Sequence, residues 1–302
     1  MPTFAILAFV RWVHFAAAMI LFGSSLFPFY APTGRFLDRP LRRIVIGAGV
    51  VGLITGLLWV MFLLIQLVGD SEGGSTLEEL TAFFLDTSFG PAWIAHLALF
   101  ALALLVGVTL RRNSWTARPQ AFGLAIVAAG VLVSQALIGH AAAAMGSPLP
   151  GAAVHAIHLL ASGAWIGGLV PLGLVLLGAR RAGDAHSLGR GRDALRRFST
   201  MGMLAVGLII LSGVNNALSR IDSPESLVAT DYGRVLLTKV ALFVLMVALA
   251  AINRFALLPR LSGRACGSVA LDSLIRMIAA EEVVGMLILA AVAILGMLAP
   301  PL

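Results

Sequence analysis

Hydrophobic residues in this chain are grouped into eight long runs that are separated by short polar stretches. The runs cover approximately residues 4–29, 43–69, 90–110, 120–145, 151–178, 197–219, 233–258 and 277–299. An α-helix needs roughly 20 predominantly apolar residues to cross a bilayer, and every run is of about this length. The pattern therefore predicts an all-α integral membrane protein, with residues 1–302 forming a single domain, one bundle of eight transmembrane helices.

The composition agrees with this interpretation. Of the 302 residues, 60% are hydrophobic and only 12% are charged, which lies far from the values of soluble domains. The first run has no basic segment before it and no small-residue cleavage site after it, and it is too long for the core of a signal peptide. We therefore interpret it as the first spanning helix, retained in the protein.

Basic residues alternate along the predicted loops. Arginines are concentrated in the odd-numbered loops, whereas the even-numbered loops contain only Arg220 and Arg234, and the second loop is acidic. Because loops rich in arginine and lysine stay in the cytoplasm, this pattern predicts periplasmic termini and insertion in the bacterial inner membrane. The same pattern accounts for the net charge of +7. We expect contact with the lipid bilayer and no nucleic-acid partner.

Histidines are the most informative residues inside the apolar runs. Five of the six fall there, and the predicted topology puts all five in the outer half of the membrane: His14, His96, His140, His155 and His158. Ionisable side chains are costly in this environment, so they indicate function. Imidazole is also the commonest metal ligand in proteins. The sequence therefore predicts a metal or haem site built from the first, third, fourth and fifth helices.

Within this set, His155 and His158 are the predicted core ligands. Residues three positions apart share one face of a helix, so both rings can reach one ion or one cavity. We expect replacement of both by alanine to abolish metal binding. The other three are ranked in the order His140, His14 and His96.

Two further residues of the fourth and fifth runs are candidates near this site. Met145 can supply a soft thioether to Cu(I), although an ordinary interfacial methionine is the alternative interpretation. Trp165 lies seven residues after His158, on the same helix face, and is expected to form a wall of the site rather than to bind the ion.

Other polar residues are candidates for supporting the site or lining a path. Lys239 is the only lysine in the chain, and with Arg11 it places positive charge in the outer half, where it can neutralise an anionic group such as a haem propionate. The inner half offers little except Glu281 and Glu282, either a relay or exit site or partners for interfacial groups. The remaining candidates close the sixth run: Asn215 and Asn216.

Several of these segments resemble one family. Residues 155–171 (HAIHLLASGAWIGGLVP) are similar to the fifth-helix segment of the CopD (PcoD-type) copper-resistance proteins of bacterial inner membranes. Similar segments follow in order along nearly the whole chain, including Arg11-Trp-Val-His14, Gly139-His140 and residues 232–239. The resemblance implies an eight-helix inner-membrane protein that takes copper from the periplasm, often from a small CopC-type donor, and moves it toward the cytoplasm. No soluble copper-binding domain is fused to this sequence, so a CopC-like donor is expected to be a separate chain.

Two alternatives use the same histidines. Bis-histidine ligation of a b-type haem would make the protein a membrane cytochrome, the only case in which we would expect an oxidoreductase rather than a non-enzyme. A copper sensor or assembly factor that does not transport is the other. The single cysteine, Cys266, excludes a disulfide framework and a CxxC motif. Imidazole suits both oxidation states of copper, which stay open.

Overall fold

A computed structural model describes residues 2–31, 37–69, 81, 89–109, 118–139, 148–262 and 267–301. These residues contain eight helices that are long and apolar enough to cross a membrane, and they contain no β-strand. The prediction of an all-α bundle of eight spanning helices is confirmed.

The spanning helices follow one another along the chain. They are α1 (Pro2–Tyr30), α2 (Asp38–Gly69), α3 (Phe89–Thr109), α4 (Arg118–Ile138), α5 (Pro148–Ala182), α6 (Ala185–Leu218), α7 (Asp231–Ile252) and α8 (Gly267–Leu295). A short helix, Ser226–Ala229, precedes α7, which continues into a π-helical turn, Asn253–Leu257, and a 3₁₀ helix, Leu258–Ser262.

The arginine-rich stretch after the fifth run is helical rather than a loop. Only a tight turn separates α5 from α6, and Gly183 makes it with a φ of +68°, a conformation that favours glycine. Asp184 then caps α6 by accepting hydrogen bonds from the amide and hydroxyl of Ser187, both at 2.8 Å, and these bonds lower the pKa of its carboxyl. Hydropathy identifies only the apolar part of α6. The helix begins earlier, because a helix can continue from the membrane into water.

The bundle is arranged around two central helices. α1 contacts α2, α4, α5 and α8, and α5 contacts α1, α4, α6 and α8. Burial follows the same order. In the most apolar 18-residue segment of α5, 72% of the residues are buried, whereas in that of α7 only 6% are buried. Large apolar side chains are exposed on the outer surface, for example Leu211, Leu218 and Phe255, as expected for contact with lipid tails.

Glycines allow the two central helices to touch through their backbones. A Cβ atom on Gly167 of α5 would overlap the carbonyl of Met19 in α1, and one on Gly23 of α1 would overlap the backbone of Gly167 and Gly168. Small residues at a helix crossing permit such close approach in membranes, where the interface has no hydrophobic driving force. The crossing of α1 and α5 is therefore fixed by main-chain contact.

Candidate metal centre

His14 of α1 and His96 of α3 meet in the interior of the bundle. Their Nε2 atoms are 2.8 Å apart, and neither side chain is exposed to solvent. The ring centroids are 5.1 Å apart, which at this nitrogen separation means that the rings point at one another end to end. The sequence predicted that both histidines contribute to a site but not that they form a direct pair.

Hydroxyl groups fix the other nitrogen of each ring. Nδ1 of His14 lies 3.0 Å from Oγ1 of Thr55, and Nδ1 of His96 lies 2.8 Å from Oγ of Ser134. Each hydroxyl donates its proton to a carbonyl of its own helix, at 2.6 Å for Thr55 and 2.9 Å for Ser134. When each hydroxyl donates to its carbonyl, its oxygen accepts from Nδ1–H of the imidazole, because a hydroxyl has only one proton to donate.

The positions of the protons on the ring nitrogens determine what can lie between the two rings. With both Nδ1 atoms protonated, the neutral form of each imidazole has a lone pair on Nε2. Two lone pairs that face each other at 2.8 Å repel unless a proton or a metal cation lies between them. In this tautomer the pair can therefore hold a bridging cation, and with one proton on Nε2 the two rings form a neutral hydrogen bond.

Aromatic rings enclose this pair. The indoles of Trp59 and Trp93 lie 5.6 and 6.1 Å from the ring of His14, and Phe100 lies 5.2 Å from both imidazoles. The faces of such rings are electron-rich, so they stabilise a neighbouring cation while they exclude water. A glycine of α2 makes room for this wall, because a Cβ on Gly52 would overlap Phe100.

His155 and His158 form a second pair with a different geometry. Their rings are parallel, with centroids 6.5 Å apart and an interplanar angle of 8°. Nδ1 of His158 donates to Ser212 at 3.0 Å, while Nδ2 of Asn216 donates to Nδ1 of His155 at 3.5 Å. Both rings thus lie on one face of α5, as their spacing predicts, but side by side rather than end to end.

This second pair lines a partly open cavity of about 150 Å³. The cavity lies where α1 begins and α8 ends, since Arg11 and Pro300 both line it. Lys239 and Arg220 line it as well. Sites for cofactor-sized ligands are typically about 300 Å³ or larger. The cavity that the described residues enclose is smaller than a haem requires, although it contains the basic residues expected near a propionate.

Arg11 connects the two histidine pairs. Its guanidinium lies 4.3 Å from the ring centroid of Trp59, which contacts His14, and the same side chain lines the cavity of His155 and His158. Stacking on an indole is a favourable arrangement for a guanidinium. The aromatic wall of the buried pair and the lining of the cavity thus share one cationic side chain.

A third polar group lies near the middle of α8. Glu281 of α8 is buried and accepts hydrogen bonds from Asn253 and from Trp165. Trp165 also contacts Phe243, at 6.1 Å between ring centroids, so it is tied to this carboxylate rather than placed as a wall beside His158. Arg276 donates to Ser273 instead of pairing with the glutamate.

Glu281 also lines a largely apolar cavity of about 220 Å³, together with Asn253 and Arg254. Asn253 opens the π-helical turn of residues 253–257, a local geometry that is frequent at functional sites. The neighbouring Glu282 is half-buried, and its Oε2 has no hydrogen-bond partner among the described residues.

The other predicted site residues divide into two groups. His140 and Met145 lie outside the described residues. Asn215 is exposed at the end of α6, where its carbonyl accepts from the amide of Ser219. Within the described part of the chain, no group of three or more histidine, cysteine or acidic residues could hold a metal ion. The structure thus brings the four described histidines of the apolar runs together as two pairs.

Sequence reasoning did not identify the residues that hold the histidines in place. Thr55, Ser134 and Ser212 each bind one Nδ1 atom, and Trp59 and Trp93 enclose His14. The available signal was an isolated hydroxyl-bearing residue within an apolar run, since such a residue needs a polar partner in a membrane.

Two family models match the chain. The model described as "Copper resistance protein D-like, N-terminal domain" matches residues 1–150, and the model described as "Copper resistance protein D" matches residues 192–295. The first contains His14 and His96, whereas neither contains His155 and His158.

Three curated relatives are similar to this chain over most of its length. "Copper resistance protein D" of Pseudomonas syringae pv. tomato is 30% identical, over 96% of this chain and 96% of the relative. "Copper transport protein CutJ" of Bacillus subtilis is 32% identical over 80% of this chain, which spans only 45% of that relative. "Inner membrane protein YebZ" of Escherichia coli is 30% identical, over 83% of this chain and 84% of the relative. No solved structure gives a significant match.

Proposed function

Because this chain belongs to the copper resistance protein D family and is a multi-pass protein of the bacterial inner membrane, we propose that it binds copper between His14 and His96 and moves it from the periplasm toward the cytoplasm. The observation that carries the proposal is the end-to-end contact of these two rings, whose other nitrogens are already committed to hydroxyl groups.

Two facing imidazoles suit a metal ion of low coordination number. Zn²⁺ is held by four ligands at structural sites, and Cu(II) prefers four in a square arrangement, whereas Cu(I) accepts two ligands on opposite sides. Metal–nitrogen distances of about 2 Å would place the nitrogens about 4 Å apart, so the rings must separate by about 1 Å from their present 2.8 Å. A metal ion between the rings takes the place of any proton that bridges them.

The other two polar groups suggest a route. His155 and His158 line a partly open cavity and are the first imidazoles that an ion entering there meets. The buried pair is the next, and the carboxylate of Glu281, near the middle of α8, is a candidate relay beyond it. On the topology that the arginine distribution predicts, the cavity faces the periplasm, and a membrane potential that is negative inside favours inward movement of a cation. Delivery by a separate CopC-like chain is part of this proposal.

The test combines copper binding with transport. Purified protein in proteoliposomes is assayed for bound copper and for copper uptake, as wild type, His14→Ala/His96→Ala and His155→Ala/His158→Ala. We expect the first double variant to lose both bound copper and uptake. The second should lose mainly uptake, in contrast to the loss of metal binding that the sequence alone predicts for His155 and His158. His186→Ala is the matched control, because His186 is exposed on α6.

Two results would contradict the proposal. Stoichiometric copper retained by His14→Ala/His96→Ala would show that the ion binds elsewhere. An absorption spectrum with a Soret band and stoichiometric iron would identify the histidines as haem ligands and replace copper transport with electron transfer. A sensor or assembly factor would bind copper through the same residues but show no uptake.

A further inference from the structure

The cavity of His155 and His158 has an unusual charge for a copper site. Arg11, Arg220 and Lys239 line it, and none of the described lining residues is acidic. The ion pairs recorded in the described part of the chain involve other arginines, Arg180 with Asp272 and Arg234 with Asp231. Among the residues that the structure describes, three cations therefore line a cavity of about 150 Å³ without a carboxylate beside them.

Such a cluster is electrostatically unfavourable. Like charges in a partly desolvated space repel, and each also loses hydration when it leaves water. Hydrogen bonding compensates only in part. Arg220 shares a hydrogen bond with the hydroxyl of Tyr232, whereas Nε of Arg11 is buried and has no partner among the described residues. An anion in the cavity would relieve the repulsion and offer acceptors to the lining guanidinium groups.

We propose that this cavity binds a small oxyanion, a carboxylate or phosphate group of no more than about six non-hydrogen atoms. The chemistry follows from the donors, because guanidinium groups form paired hydrogen bonds with carboxylate and phosphate oxygens. The size follows from the volume, since a cavity of about 150 Å³ in another protein accommodates benzene. The haem expected as an alternative exceeds this limit.

The oxyanion would also explain how a copper cation reaches this pair. With the anion bound, the charge around His155 and His158 falls, so a metal ion approaching them meets less repulsion. This inference goes beyond copper transport and does not depend on it, because the site is defined by its own cations. It is tested without copper.

The experiment measures equilibrium binding of radiolabelled acetate and of inorganic phosphate to the full-length protein in nanodiscs of zwitterionic lipid. Acetamide has the shape of acetate without its charge and serves as the control ligand. We expect acetate or phosphate to bind at one site per chain, at least tenfold more tightly than acetamide. Lys239→Gln and Arg220→Gln should each weaken binding at least tenfold.

Two matched variants separate charge from general damage to the fold. Lys239→Arg keeps the charge and should retain binding. Arg234→Gln removes an exposed arginine of α7, outside the cavity, and should leave binding unchanged. Equal binding of acetate and acetamide, no binding of either anion, or unchanged binding in both Lys239→Gln and Arg220→Gln would overturn the proposal.

A second arm distinguishes the sources of the oxyanion. The measurement is repeated in nanodiscs that contain phosphatidylglycerol. If this anionic lipid suppresses acetate binding to the wild-type protein, the natural occupant is a lipid phosphate. If acetate binding is unaffected, the occupant is a free anion from solution. Both results support an oxyanion site, and they assign it to different ligands.

Discussion

The two histidine pairs combine the same side chain with opposite surroundings. His14 and His96 point at each other end to end, are fully buried and are walled by aromatic rings. His155 and His158 lie parallel at a partly open cavity with cationic walls. Three of the four rings are anchored through Nδ1 to a hydroxyl, so anchoring does not distinguish the pairs. The pairs differ in the direction of their rings and in their access to water. These differences favour His14 and His96 as the site that holds an ion, and His155 and His158 as the site that receives it.

Removing one ring from each pair is the most direct test of whether the two pairs differ in copper affinity. We expect His14→Ala to lower the affinity for Cu(I) at least about 100-fold, about 2.8 kcal/mol, because a two-ligand site fails when either ligand is lost. The double variant with His96→Ala should lose little more, since the two rings act as one unit. His158→Ala should cost less than about tenfold. Competition with a Cu(I) chelator measures all three, and equal losses at both pairs would remove the distinction.

The hydroxyl anchors test how much of the difference comes from burial. Thr55→Val leaves Nδ1–H of His14 without an acceptor in a dry interior, so we expect copper affinity to fall about 10- to 100-fold. Thr55→Ser keeps the hydroxyl and should restore binding. Ser212→Ala should have only a few-fold effect, because water in the cavity can take the place of the lost hydroxyl. A strong effect of Ser212→Ala would show that the cavity is as dry as the buried pair.

A proton bound between the two Nε2 atoms would give the buried pair a distinct pH dependence. Copper would have to displace that proton, so over the pH range in which the pair binds it the affinity should rise about tenfold per pH unit. About one proton should be released per copper bound, which calorimetry in buffers of different ionisation enthalpy detects. His155→Ala/His158→Ala should keep this slope. A slope of zero in the wild-type protein would mean that no proton occupies the site.

The aromatic wall is expected to make the smallest contribution to copper affinity. Trp59→Leu removes a ring next to His14 and the stacking surface of Arg11, and each such contact contributes about 0.5–1.5 kcal/mol. We therefore expect copper affinity to fall about two- to tenfold. Phe255→Leu, on the exposed surface, is the control and should have no effect. A loss in Trp59→Leu as large as that in His14→Ala would indicate a collapsed site rather than a weakened one.

The sequence was sufficient for the spanning helices and for the shared face of His155 and His158, because both follow from local periodicity. It was not sufficient for the start of α6, since apolar runs mark the membrane and not the helix. Nor did it identify the contact between His14 and His96, which are 82 residues apart. That contact depends on the neighbours of each helix in the bundle, and the arginine count determines only the side of the membrane.

Trp165 shows the same limit at short range. Its spacing from His158 places it on the expected helix face. However, the helix is long enough for two residues on one face to lie at different depths and to contact different groups. The tryptophan therefore contacts Glu281, which comes from a helix more than a hundred residues later in the chain. Its partner could be identified only from the three-dimensional arrangement.

The glycine contacts between α1 and α5 have a consequence for how an ion can cross. Backbones that touch without intervening side chains have little freedom to slide, so His14 on α1 and His158 on α5 belong to one rigid frame. For the transport proposed above, opening and closing toward either side would then involve the peripheral helices. α7 is the least buried of the eight, and it carries the π-helical turn at Asn253 beside Glu281, where its axis can change direction. Transport would then need only a moving outer wall, with both histidines of the frame standing still.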